Sequence, residues 1–334
     1  MPAGVRVTFH GVRGSTPCEG PQYARYGGNT SCVSLEVDGA PPILFDLGTG
    51  LRPYGIGAGE RAWRGSALLT HLHWDHVQGL PFFAPLHDAG TVLEVFGPRQ
   101  VDGTLAEAFA GLMRPPYFPV RPMDLGGAVS FHDMGEDEFA IGSANVKARW
   151  VRHPGPTLGF RVEWNGVSIA YVPDHGPGCA PGDAEDFVPP EMLDLCDGVD
   201  LLIHDAQHTR SEYDRRQHWG HCTVDYAVHV ARAAGARCLA LFHHDPARGD
   251  DDIDRILTAT ADRSAGVGGP EVVAAAEGLV LDLAPPAARS RVCEVDLRTA
   301  PDGSMSAYAP GSDVLVPVES MVSVSRAAPP PARL

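Results

Sequence analysis

The sequence has few positive charges and no long apolar run. Its 334 residues include 26 Lys and Arg against 42 Asp and Glu, which gives a formal net charge of −16. This excess of negative charge repels a polyanion, so a large RNA or DNA partner is disfavoured. No uninterrupted apolar stretch reaches the length of about 18 residues that a membrane-spanning helix needs, so no membrane span is expected.

Paired cysteines are also missing. The seven cysteines form no C-x-x-C motif, and the opening stretch MPAGVRVTFHGVRGSTP has no apolar core of the kind that secretory signals carry. These features favour a reduced, cytoplasmic protein with free thiols. Composition leaves the oligomeric state open, a homodimer included.

What the sequence does contain is a series of short apolar runs that end in Gly, Asp or His. Stretches such as VRVTFHG, PPILFDLG, SALLTHLH and ARCLALFHH are typical of buried strands followed by loops. In TVDYAVHVARAAG, apolar residues recur at spacings of three and four until Gly235, which predicts a helix. We therefore predict an α/β fold in which residues 1–285 form one domain and VVAAAEGLVLDLAPP is its last strand.

The composition shifts to Pro, Ala and Ser from about Ala284 onwards. This shift predicts that residues 286–334 form a C-terminal extension, ordered in part through YAPGSDVLVPV and disordered at its end.

The densest group of candidate metal ligands lies in LLTHLHWDHVQG, directly behind an apolar run. In an extended chain His71 and His73 point the same way, because side chains alternate with a period of two. A turn at Trp74 then brings Asp75 and His76 toward the same point. Imidazole nitrogens with a carboxylate suit zinc, iron or manganese. A polar surface loop is the alternative, and three histidines beside an aspartate make it the weaker one.

The motif THLHWDH resembles the signature of the metallo-β-lactamase superfamily, and further motifs in the same order extend the resemblance over most of residues 5–284. The resemblance implies a four-layer αβ/βα sandwich with two facing mixed β-sheets. Asp46, in ILFDLGTG, matches the family's early aspartate at a strand end.

The resemblance also implies two divalent metal ions, with zinc favoured and manganese or iron as alternatives. The implied ligands of the first ion are His71, His73, His153 and Asp174. The implied ligands of the second are Asp75, His76, His243 and the shared Asp174. The doubled histidine in LALFHHDP leaves His244 as a rival to His243.

The stretch from Asp205 to His244 resembles the phosphodiesterase branch of the superfamily, which includes tRNase Z and the phosphonate-pathway cyclic phosphodiesterase. Asp205 matches the branch's acidic residue, and His221 in GHCT matches its histidine, with Cys222 in place of Ser. Phosphodiester cleavage needs a nucleophile, here a metal-bridging hydroxide, and a proton for the leaving alkoxide. We predict His221 as the general acid, Asp205 as its orienting partner, and Asp75 as a catalytic residue besides its metal role. The alternative is that His221 only caps the following helix.

Together these features predict an enzyme that hydrolyses a small phosphodiester, such as a cyclic nucleotide or a cyclic ribose phosphate. The sequence shows no counterpart of the long arm with which tRNase Z holds tRNA. A lactone or thioester hydrolase and a tRNase Z-like ribonuclease are the alternative enzymes, and a diiron redox protein or a metal-binding scaffold is the non-hydrolytic one. The stretch GLPFFAPL could add apolar walls for a base. The predicted substrate contacts are Arg13, Asn29, Trp219 and His244.

Overall fold

The computed structural model describes residues 4–59, 62–177 and 187–285, together with the backbone of three short strands between 296 and 326. The first sheet contains β1 (Val5–Gly11), β2 (Cys32–Glu36), β3 (Ile43–Phe45), β4 (Arg64–Leu68), β5 (Val92–Pro98), β6 (Ala128–Met134), β14 (Leu279–Leu283) and β17 (Val324–Arg326). The second sheet contains β7 (Asp137–Ile141), β8 (Ala144–Trp150), β9 (Leu158–Trp164), β10 (Val167–Val172), β11 (Leu201–Asp205), β12 (Cys238–Phe242) and β13 (Glu271–Ala274). A separate pair is formed by β15 (Asp296–Thr299) and β16 (Met305–Tyr308).

The α-helices lie between these strands in the chain. They are α1 (Leu51–Ala58), α2 (Trp74–Val77), α3 (Leu105–Leu112), α4 (Pro190–Cys196), α5 (Arg210–Tyr213), α6 (Val224–Ala233) and α7 (Asp250–Gly266). Among the described residues, no helix is both long enough and apolar enough to span a membrane.

Each sheet has a parallel half and an antiparallel half. The first sheet runs β17–β14–β1–β2–β3–β4–β5–β6 and is parallel from β3 to β6. The second runs β13–β12–β11–β10–β9–β8–β7 and is parallel from β10 to β13. The carboxyl ends of parallel strands meet at one edge of their sheet, and ligands bind there in open α/β sheets. The loops after β4, β10, β11 and β12 therefore converge.

Alternating burial explains why the sheets stack face to face. In β9, Leu158, Phe160 and Val162 enter the core between the two sheets. In β10, Ile169 and Tyr171 face that same core, whereas Ala170 and Val172 face the layer that holds α4 and α6. Strands that are buried on both faces read as continuous apolar runs. The predicted αβ/βα sandwich is confirmed, with α1 and α3 on the outside of the first sheet.

Of two predictions made for the later part of the chain, one is confirmed and one is corrected. The predicted helix is present as α6, and Gly235 follows it with a φ of 67°. VVAAAEGLVLDLAPP is two strands rather than one: β13 ends at Ala274, and Gly278, with a φ of 78°, turns the chain into β14 of the other sheet. Of the predicted extension, only β15, β16 and β17 are described; the order predicted through YAPGSDVLVPV and the disorder predicted at the end fall almost wholly outside the described residues.

Candidate metal centre

The HLHWDH motif folds as a strand exit followed by a single helical turn. The chain leaves β4 and stays extended to His73, whose φ and ψ are −62° and 150°. The turn α2 then begins at Trp74 and carries Asp75 and His76 back toward the sheet edge. His71, Asp75 and His76 are buried, and His73 is exposed.

One group of candidate ligands joins this motif to the second sheet. The Nε2 of His153 lies 3.1 Å from the Nδ1 of His73. The Oδ2 of Asp174 lies 3.7 Å from the Nε2 of His71 and 3.5 Å from the Nε2 of His153. The ligand atoms of all four residues are within 4.8 Å of one another, so they could hold one metal ion.

A second group lies on the other side of Asp174. The Oδ2 of Asp75 is 3.2 Å from the Nε2 of His76 and 3.1 Å from the Nε2 of His243. The Oδ1 of Asp174 is 3.1 Å from the Nε2 of His76 and 3.3 Å from that of His243. The two oxygens of this one carboxylate therefore face different groups of histidines.

The chemistry of these donors fits bound cations. Among the described residues, the Nε2 atoms of His71 and His76 and the Oδ1 of Asp174 are buried without a hydrogen-bond partner. Buried polar atoms are rarely left unsatisfied, so such a cluster needs a ligand. Burial would raise the pKa of Asp174, but the surrounding histidines, His243 foremost, hold that pKa well below its usual range.

Supporting residues that the sequence did not single out orient these histidines. Gln207 Oε1 lies 2.9 Å from the Nδ1 of His243, and the carbonyl oxygen of Gly220 lies 2.8 Å from the Nδ1 of His153. Such partners fix the tautomer of a ligating histidine and direct Nε2 at the metal. The available signal was position: Gln207 follows Asp205 by two residues, and Gly220 precedes His221.

The backbone is strained at two strand ends beside the centre. Asp46 and His243 have positive φ angles of 56° and 58°, which non-glycine residues seldom adopt and which occur preferentially at functional sites. Gly14 packs against His243, because a Cβ at Gly14 would lie 2.4 Å from that ring. The N-terminal glycine-rich loop thus borders the centre through close backbone approach.

His221 and Asp205 form a buried pair at the edge of the two groups. The Nδ1 of His221 lies 2.8 Å from the Oδ2 of Asp205. Burial acts to lower the pKa of His221, yet the Asp205 carboxylate raises it to about 9. The cap of α6 is Thr223, whose side chain accepts the Tyr226 amide, so the interpretation of His221 as the helix cap is wrong. Asp174, His221 and His243 also form a third group with ligand spacing.

Two of the four predicted substrate contacts are buried inside the protein. Arg13 is fully buried, and its guanidinium donates to the carbonyl oxygens of Gly27 and Arg248. The Nε2 of His244 lies 2.9 Å from the carbonyl oxygen of Ala275, in a buried position. Both side chains are occupied inside the protein, which corrects the prediction that they contact substrate, and it is His243 that lies in the centre.

The other two predicted contacts stay accessible. Asn29 donates to Glu277 through its Nδ2 and borders a cavity beside Trp74. Trp219 is 46% exposed and lies under the guanidinium of Arg216. Whether Asn29 and Trp219 contact substrate stays a prediction.

Comparisons with known proteins agree with this arrangement. The model of the β-lactamase superfamily domain matches residues 60–244, which is 185 of the 334 residues. The ribonuclease Z of Haloarcula marismortui is 27% identical over 274 residues, covering 72% of this chain and 86% of that protein.

Solved structures share the fold. A diphosphatase of the PhnP family superposes with a TM-score of 0.61 at 18% identity, over 84% of this chain and 98% of its own. The short form of human tRNase Z gives 0.60 at 23% identity, over 84% and 99%. The family match covers more than half of the sequence and includes the HLHWDH motif. The chain therefore belongs to the metallo-β-lactamase superfamily of hydrolases.

Proposed function

We propose that the protein hydrolyses a small phosphodiester, such as a cyclic nucleotide or a cyclic ribose phosphate. The observation that carries this proposal is the His221–Asp205 pair beside the candidate metal centre. The ring of His221 lies 4.8 Å from that of His243 and 5.1 Å from that of His153, centroid to centroid. A proton donor held this close to two candidate ligands suits the expulsion of an alkoxide.

The proposed cofactors are two divalent cations, with zinc preferred for the histidine-rich donor set. When bound, they supply an activated water and neutralise charge on the phosphoryl oxygens. The proposed ligands of the first are His71, His73, His153 and Asp174. The proposed ligands of the second are Asp75, His76, His243 and Asp174, and Asp75 stays a proposed catalytic residue besides its metal role.

The chain's own contribution is to place one proton. Asp205 accepts the backbone amides of His175 and Gln207 as well as facing the Nδ1 of His221, so its carboxylate is held in position. With Nδ1 engaged, the Nε2 of His221 is the atom that hands a proton to the leaving oxygen. A thioester has less need of this donor, because its thiolate leaving group departs with little protonation.

A longer RNA is the second candidate, and the similarity to ribonuclease Z proteins favours it. The net charge of −16 favours the small diester, because a long polyanion meets repulsion over a wider surface.

The test is a hydrolysis panel with metal-loaded protein. It contains 2′,3′- and 3′,5′-cyclic nucleotides, bis-p-nitrophenyl phosphate, an RNA with a 3′ trailer, a lactone and a thioester. His221→Ala should lower the rate on the cyclic nucleotide by about 10²–10⁴-fold, the usual range for positioned proton transfer. The loss on p-nitrophenyl esters should be smaller, because p-nitrophenolate departs with little protonation. His87→Ala, at an exposed histidine outside the centre, is the matched control.

Other results would redirect the assignment. If His221→Ala removes metal and slows all diesters equally, His221 is a ligand, as its spacing with Asp174 and His243 allows. If the wild-type protein cleaves RNA but no small diester, the ribonuclease reading replaces this one. Cleavage of the lactone or thioester alone would remove phosphodiester chemistry altogether.

A further inference from the structure

A cavity of about 340 Å³ borders the turn α2, which carries the candidate ligands Asp75 and His76. Trp74, which stands between His73 and Asp75 in the sequence, forms part of its wall. Phe109 of α3 and the loop that follows this helix line it as well. Its size is at the lower end of the roughly 300–1,000 Å³ that small-molecule sites occupy.

The walls of this cavity are aromatic and open to solvent. Trp74 is 62% exposed, Phe82 is 56% exposed and Tyr117 is 75% exposed. Phe82 packs edge-to-face on Phe118, with ring centroids 5.8 Å apart. The adjacent Phe83 is 1% exposed, so the chain buries one phenylalanine and leaves its neighbour in the cavity. Grouped apolar exposure around a concavity marks a binding site.

Polar groups line the same cavity in small number. The side chains of Arg52 and Gln78 border it, and neither has a side-chain partner in the part of the chain that the structure describes. In a protein with a net charge of −16, a free guanidinium at this mouth attracts an anion. An amide such as that of Gln78 can both donate to and accept from the edge of a heterocycle.

Two other grooves, of about 440 and 420 Å³, lie at the far edge of the second sheet around Lys147 and Arg161. Their charged groups are already paired: the Nζ of Lys147 contacts a carboxylate oxygen of Asp194, and the Nε of Arg161 contacts one of Glu163. These grooves therefore offer few charged groups that are free to bind a ligand.

We propose that the aromatic cavity is the subsite that holds the base of a nucleotide substrate, stacked against Phe82 and Trp74 with its edge at Gln78. This proposal rests on the proposed phosphodiesterase function and names the part of the substrate that sets its specificity. Aromatic side chains stack on any base, because every base has a π-face. The base can belong to a free cyclic nucleotide or to the terminal nucleotide of an RNA.

The experiment compares substrates with and without a base. In Phe82→Ala, the KM for 2′,3′-cyclic AMP should rise by about 5- to 150-fold, the range that removal of a base-stacking aromatic costs. The KM for ribose 2,3-cyclic phosphate, which has no base, and the metal content should not change. Met123→Ala is the matched control, since Met123 is an apolar residue that is 75% exposed and does not line the cavity. A parallel assay with an RNA substrate shows whether the base belongs to a free cyclic nucleotide or to the terminal nucleotide of an RNA.

A binding measurement separates this proposal from the proposed function. In calorimetric titrations, 5′-AMP should bind the wild-type protein more tightly than ribose 5-phosphate does, and Phe82→Ala should remove that difference. Base-dependent binding without hydrolysis of any diester would support the subsite and overturn the function. Equal binding of the two ligands, or equal KM changes with and without a base, would overturn the subsite. A KM change confined to an acyl lactone would assign the cavity to an acyl chain and overturn it as well.

Discussion

The Nδ1 of His76 lies 2.7 Å from the Oδ2 of Asp46, and both side chains are fully buried. The same carboxylate accepts the backbone amide of Thr70 and the hydroxyl of Tyr171. Because Asp46 occupies Nδ1, the Nε2 of His76 is left to face Asp174. A carboxylate behind a ligating histidine is a recurrent way to fix its tautomer and raise its basicity.

Asp46→Asn should weaken metal binding by about 10- to 100-fold, the usual cost of losing such a partner. An amide carries no charge, and its NH₂ group cannot accept from Thr70 or Tyr171. A competitive chelator titration measures the change. Asp102→Asn, at an exposed aspartate, is the control. Unchanged affinity in Asp46→Asn would show that His76 is oriented by other contacts.

Asp174 should set the metal stoichiometry. Its two oxygens face different groups of histidines, at 3.1 Å from His76 and 3.5 Å from His153. We expect elemental analysis of protein purified without chelator to approach two equivalents of metal per chain, and Asp174→Ala to hold fewer. A wild-type value that stays at one equivalent under excess metal would contradict the paired site.

Chelation should lower the melting temperature. The proposed ligands come from both sheets, His71 following β4 and His243 following β12, so bound cations stabilise the folded state over the unfolded one. Metal at a hundred times its Kd contributes about 2.7 kcal/mol, and each kcal/mol shifts Tm by roughly 2–4 °C in a domain of this size. Scanning calorimetry with and without EDTA measures the shift. Asp174→Ala should shift less, and an unchanged Tm after verified metal removal would refute the argument.

Asp205→Asn should slow the reaction less than His221→Ala does, because it disturbs the ring's orientation and basicity without removing the donor. It should also destabilise the fold by about 1–3 kcal/mol, since an amide cannot accept from every donor that surrounds this buried carboxylate. Rates with good and poor leaving groups, together with urea unfolding, test both effects. Asp214→Asn, at an exposed position, is the control. A larger rate loss than in His221→Ala would give Asp205 a direct role.

Residues 286–334 should supply no catalytic group, because the candidate centre is complete within the domain proposed for residues 1–285. A chain truncated after Pro285 should keep its metal content and its rate on a small diester. Its Tm should fall slightly, since β17 pairs with β14 through Leu279, Val280 and Leu281. Loss of turnover with metal and fold intact would place part of the substrate site in this segment.

The sheets could be predicted where both faces of a strand are buried. PPILFDLG and DLLIHDAQ are recognisable as strands because both of their faces are buried, so that apolar residues follow one another without alternating polar ones. β6 and β7 were missed, since they are half exposed and carry mixed residues. α7 was missed because its 17 residues begin with three aspartates and bury few apolar side chains.

The candidate centre shows a similar division. The HLHWDH motif concentrates its donors within six residues, so sequence alone indicates a metal. The prediction that Arg13 contacts substrate was misleading. An arginine in a glycine-rich loop indicates an anion site only if its side chain points outward, and the side chain of Arg13 points into the protein. Tyr171 acts through a contact between the two sheets, which the spacing along the chain does not reveal. Gln207 contacts His243 within the second sheet, and only its position after Asp205 pointed to it.

The strand β17 closes the outer edge of the first sheet with a segment from the far end of the chain. The register between β14 and β17 depends only on the two segments, not on whether one molecule supplies both. A second copy can therefore donate its own β17 to the same edge, which is the geometry of domain swapping. Removal of the segment exposes β14 to the same kind of pairing, so both forms of the protein should self-associate more as concentration rises.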